Sequence, residues 1–222
     1  MILKDIISLL NEVARNAHVV DDERIDPRLW QDFIMLKWEQ FIKNHLNEKH
    51  YIELNTLQTE RLTLTAYDSA LDIAGVSIGN KVMRTAKIPR MVESRVGPAV
   101  YEISTADLTS KTLMYVPFDR LRWCGNGTVN RNMLFAAFYD NRFYVKSGSE
   151  IDKGLKYINL TAIFADPTQV STFDEDADDY PVNNYMINYI QAAILKGEFT
   201  EMLKNRSDER NDASGLIWMN TK

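Results

Sequence analysis

The sequence predicts an α+β fold: a central antiparallel β-sheet or sandwich domain with N-terminal helices, a C-terminal helix and a tail. Three observations carry that expectation. From Lys111 to Phe164 apolar and aromatic residues alternate between short turns, two N-terminal segments place apolar residues at helical spacing, and a third helical stripe follows an acidic run. The chain divides accordingly into an N-terminal helical segment (1–50), a β-rich domain (51–168), a linker with the C-terminal helix (169–204) and a tail (205–222).

In chain order, Leu3, Ile6, Ile7, Leu10 and Val13 mark a first amphipathic helix ending near Asn16. Asp26-Pro27 signals a second start, because Asp26 can accept bonds from free amides and Pro27 has no N–H to leave unpaired. That helix should run to about Leu46. Its face of Trp30, Phe33, Ile34, Trp38, Phe41 and Ile42 must be covered by the sheet or by another chain. Leu62 and Leu64 alternate with Arg61, Thr63 and Thr65 in a strand, and the region from Ala74 to Gly97 reads as short strands, such as Lys87 to Met91, joined by loops. Ala99 to Ile103 and Leu113 to Phe118 read as strands, and Leu121, Trp123 and Cys124 as a run ending against the core before an Asn126-Gly127 turn.

The sheet's clearest hairpin joins Met133–Tyr139 to Arg142–Lys146 through Asp140-Asn141, two residues that tolerate positive φ. Lys156 to Phe164 then turns Ile158, Leu160, Ala162 and Phe164 to the core, and Tyr157, Asn159, Thr161 and Ile163 away from it. Asp174 to Asp179 reads as a solvated linker. Tyr180-Pro181 opens the last helix, whose stripe is Val182, Met186, Tyr189, Ile190, Ala193 and Ile194. Gly197 weakens it before Phe199, Met202 and Leu203. The tail is polar to Ser214 and ends in the apolar cluster Leu216, Ile217, Trp218 and Met219.

The 222 residues are 45% hydrophobic and 26% charged, ordinary values for a chain with a packed core. A membrane span is not expected, since no apolar run reaches about 18 residues, nor is a secretory leader, since the N-terminus lacks a basic region followed by a signal-like apolar stretch. The single cysteine, Cys124, allows no internal disulfide and reads as a small buried apolar residue. A net charge of −5 argues against tight binding to a phosphate backbone and suits a conduit through which DNA slides.

Chemistry is hard to find. His45 and His50 are five residues apart, off the helical spacing of a zinc pair, and His18 stands alone. Asp174, Asp176 and Asp178 alternate as in a calcium loop, but Asp179 stands where that loop needs Gly and Tyr185 where it needs Glu. Gly75 and Gly79 lack the rest of a phosphate-binding loop. No catalytic, metal or cofactor residues are expected.

The layout as a whole resembles the neck or ring structural proteins of short-tailed, crAss-like bacteriophages. The likeness rests on the helix from Asp26-Pro27-Arg28-Leu29-Trp30 to Phe41-Ile42-Lys43, with Glu53 to Glu60 after it. It continues in the close-set strands ending in Ile163-Phe164-Ala165-Asp166-Pro167, then Tyr180-Pro181-Val182 and Ser207-Asp208-Glu209-Arg210-Asn211-Asp212. The resemblance implies a virion protein made in the host cytoplasm, a ring of twelve copies at the portal vertex that connects the capsid portal to the tail. Its partners would be copies of itself, the portal and neighbouring ring or tail proteins, with genomic DNA passing through the channel unbound and no membrane involved. Trp30, Trp38, Phe41, Leu216, Ile217, Trp218 and Met219 are the expected interface residues. A β-sandwich binding module, and a hydrolase or nuclease, are the alternatives from other classes.

Overall fold

A computed structural model describes residues 1–16, 26–48, 54–67, 82–106, 111–125, 128, 133–147, 155–175, 177–199 and 201. Four helices are described: α1 (Leu3–Asn16), α2 (Pro27–Asn47), the single turn α3 (Phe118–Leu121) and α4 (Asn184–Leu195). The chain forms two compact units, one of Met1–Asn44 with Glu175–Lys222 and the other of His45–Asp174.

In the first unit α1 packs against α4 and buries Leu3, Ile6, Leu10 and Ala14. α2 begins as expected, with an Asp26 Oδ1 accepting from the Arg28 amide at 3.0 Å. The last helix starts later than Tyr180-Pro181 suggested. The Tyr180 amide bonds the Met1 carbonyl at 3.0 Å, the Val182 amide turns back to the Tyr180 carbonyl, and Asn183 is the N-cap. Gly197, at φ +83°, does more than weaken α4: its amide closes on the Ile194 carbonyl at 2.9 Å and ends the helix.

The second unit is a mixed seven-stranded sheet in the order β5-β9-β1-β2-β8-β7-β6. Its strands are β1 (Gln58–Tyr67), β2 (Val82–Thr85), β5 (Val100–Thr105), β6 (Met114–Tyr115), β7 (Leu134–Tyr139), β8 (Arg142–Ser147) and β9 (Tyr157–Ala162). A separate hairpin pairs β3 (Glu93–Ser94) with β4 (Gly97–Pro98). Ten-residue β1 serves both halves of the sheet, pairing with β9 through Gln58–Thr63 and with β2 through Leu64–Tyr67. The ends of the sheet meet, because the Leu113 amide donates to the Ile103 carbonyl at 2.7 Å and Ser104 bridges Thr112 just before β6. The wrapped sheet is filled by its own side chains, as a small barrel must be, including Leu62, Leu64, Ile103, Phe143, Ile158 and Leu160.

The hairpin at Asp140-Asn141 is as read, with φ of 49° and 54° joining β7 to β8. β9 turns Ile158, Leu160 and Ala162 inward, with Phe164 beyond it, but Ile163 is buried as well. Its amide and carbonyl bond the Ala99 carbonyl and the Val92 amide, so chain covers both sides of that residue. Lys87 to Met91 is irregular apart from a bridge between Met91 and Phe164, the strand lying earlier at Val82–Thr85. Leu113 to Phe118 supplies only the two residues of β6, since Pro117 has no amide to extend a ladder and caps α3 instead. The Asn126-Gly127 turn lies outside the described residues.

Candidate assembly surfaces

The aromatic face of α2 is used within its own unit. Trp30 and Trp38 are 0% and 1% exposed and Phe41 is 9% exposed. The Trp30 indole stacks on Phe199 with centroids 4.0 Å apart and planes 7° from parallel, while Phe33 meets the same ring edge-on at 5.1 Å. Phe41 touches Tyr185 and Tyr189 at 5.6 and 5.4 Å. These three side chains thus shape the helical unit from inside. Periodicity found them, but it could not say that Phe199, beyond the Gly197 break, would cover Trp30. It also missed Lys37, which is buried on the same helix, lies over the Phe33 ring at 5.6 Å and pairs with Glu198. Leu216, Ile217, Trp218 and Met219 lie outside the described residues.

The barrel unit presents a different surface. Ser94 Oγ bonds the Gly97 carbonyl at 3.0 Å and the Val96 amide at 3.2 Å, folding Arg95-Val96 into the tip of the β3–β4 hairpin. Gly97 at φ +132° allows that turn. Val96 is left 99% exposed, an unusual place for a β-branched apolar side chain. Beside it, the pairing of β5 with β9 slips between Val100 and Glu102, so Tyr101 is the extra residue of a bulge and stands 65% exposed. With Leu113 and Tyr115 these residues line a groove of about 270 Å³, on whose side Glu102 accepts from the Thr112 hydroxyl at 3.2 Å. Burial raises the Tyr115 phenol above the ordinary tyrosine range. Sequence alternation places Tyr101 on a strand without revealing the bulge that turns it outward.

The outer face of β7 and β8 is covered by α3 and the turn after it. Leu121 packs with Val82, Phe135, Ala137 and Tyr144, and Phe118 stacks on Tyr139 at 4.6 Å. Leu121 ends against this cluster, but Trp123 does not: it is 70% exposed, with the Arg122 guanidinium 5.3 Å from its ring centre. Cys124 is half-buried and its thiol donates to the Arg120 carbonyl at 3.3 Å. Lys146 is buried on this face and its ammonium donates to the Arg122 carbonyl at 2.8 Å. Burial pushes that ammonium below the ordinary lysine range, opposed by the charge of Cys124.

Among the described residues no three His, Cys, Asp or Glu side chains gather as metal ligands. Asp174 and Asp178 are exposed; His18, His50 and Asp176 lie outside the described residues. No described helix is long and apolar enough to cross a membrane. What the barrel's surface does offer is exposed apolar side chains of the kind that interfaces bury, Val96, Tyr101, Met114 and Tyr115 among them, while Leu36 on α2 and Leu195 on α4 are exposed on the helical unit.

No curated protein matches the sequence. A family model described as phage tail ring protein 2 matches residues 5–220, which takes in both units and most of the tail, and the chain belongs to that family of crAss-like bacteriophages.

Proposed function

We propose that this phage structural protein is the subunit of a closed ring at the portal vertex, connecting the capsid portal to the tail and enclosing the DNA channel. Membership of a tail ring family is the observation that carries the reading. In it twelve copies, matching the portal's symmetry, associate head to tail. Such a contact joins two different patches of the subunit and closes when the rotation between neighbours divides the circle evenly.

The grouping of Val96, Tyr101, Met114 and Tyr115 on the barrel supports one of those patches, since all four are exposed. The tail cluster Leu216, Ile217, Trp218 and Met219 is the proposed second contact. Trp30, Trp38 and Phe41 support the assembly from beneath, by fixing the helical surface on which neighbours and the portal would rest. A net charge of −5 suits a wall past which DNA moves without adhering. The ring needs no metal, cofactor or catalytic step.

Native mass spectrometry of the purified chain mixed with purified portal rings tests this reading. The expected product carries one copy of the chain for each portal subunit. A chain that stays monomeric beside intact portal rings, under conditions where the virion retains it, would count against a portal-proximal ring.

A further inference from the structure

We propose that the groove between the β3–β4 hairpin, β5 and β6 receives the C-terminal apolar cluster of the neighbouring copy, with Trp218 as its anchor. The inference rests on the ring reading and names the contact that would close it. The groove's volume of about 270 Å³ suits one large side chain, and Val96, Pro98, Tyr101, Leu113 and Tyr115 make its walls mostly apolar and aromatic. Interface energy commonly concentrates on such an aromatic anchor seated in a pocket.

Reach and charge agree with that occupant. Leu216 follows Glu201 by fifteen residues. That length spans up to about 50 Å when extended, within reach of a neighbouring copy. The intervening Ser207 to Asp212 is wholly polar, a composition suited to a solvated arm. From Ala213 to Lys222 the only charged side chain is Lys222, whose ammonium is opposite in sign to the Glu102 carboxylate on the groove. The family match runs through this segment, so the cluster belongs to the family's own length. Groove and cluster are also different surfaces of one chain, as a head-to-tail contact requires.

Disulfide trapping in assembled particles tests the contact. The chain would carry Cys124→Ser to remove the native thiol, Val96→Cys at the exposed hairpin tip and Asn220→Cys just past the cluster. On oxidation the proposal predicts a ladder of cross-linked multimers in denaturing, non-reducing gels, collapsing to monomer with reductant. Each single-cysteine control should stop at dimer. Only an internally closed monomer would mean that the tail binds its own barrel, and no cross-link would mean that the groove has another occupant; either overturns the proposal. As a second measurement, Trp218→Ala should raise the concentration for half-assembly at least ten-fold while leaving the melting temperature unchanged. Rings that form normally with Trp218→Ala would defeat the proposal and leave the ring reading standing, whereas absence of rings from wild-type protein and particles would remove both.

Discussion

Gly197 ends α4 in a conformation that side chains resist, at φ +83°. A Cβ built there meets nothing within 4 Å, so Gly197→Ala isolates the backbone strain from any clash. The left-handed region costs an L residue about 1–2 kcal/mol, and urea denaturation should show a loss of that size, smaller for Gly197→Asn. Lys146 gives a pH signature. Its ammonium is depressed in the folded chain, so between that lowered value and the ordinary lysine range the unfolded chain binds more protons. Stability from this group therefore rises with pH across that window and is complete above it. The melting temperature of the wild type should climb relative to Lys146→Met as pH rises toward the ordinary lysine range. Tyr115, raised by burial, acts in the opposite direction at still higher pH, and it cancels because both proteins carry it. Parallel melting curves would show that the ammonium is not buried in solution.

At the scale of elements, the helical unit turns on one aromatic stack. Phe199 is fully buried between Trp30 and Phe33, so Phe199→Ala should cost about 3–5 kcal/mol by chemical denaturation. Trp30→Ala should cost a similar amount, and the double variant less than the sum, because the two rings share one contact. A fully additive pair would contradict the stacking. These elements also show what the sequence discloses. The hairpin at Asp140-Asn141 and the start of α2 at Asp26-Pro27 are legible because local chemistry dictates them: positive φ in one case, a side-chain cap in the other. β7 reads as the unbroken run Leu134 to Phe138 because its inner face fills the barrel while its outer face lies under α3. Long-range relations were not legible. The return of Leu113 to Ile103, the bulge at Tyr101 and the cover that Phe199 gives Trp30 all join segments far apart or depend on a slipped register. Of the candidate site, the tail cluster could be read from composition, whereas the groove arises only when β3–β4, β5 and β6 come together.

For the whole molecule, a barrel unit and a helical unit divide the chain's apolar surface differently. The α2 aromatics are buried within one subunit, while Val96, Tyr101 and Trp123 stay in water on the barrel. Association that covers them would remove apolar area worth about 25 cal/mol per Å², offset by the cost of fixing two bodies together. A closed head-to-tail ring suits this arrangement because every copy buries both of its patches and none is left unpaired at an end. In the proposed ring the chain circles the DNA path at the portal vertex. An asymmetric cryo-electron microscopy reconstruction of that vertex in the intact virion would show this placement. Twelve copies of the seven-stranded barrel are expected there, in a closed ring coaxial with the portal. Finding the chain in the particle as a non-ring component, or in a ring away from the DNA axis, would contradict it.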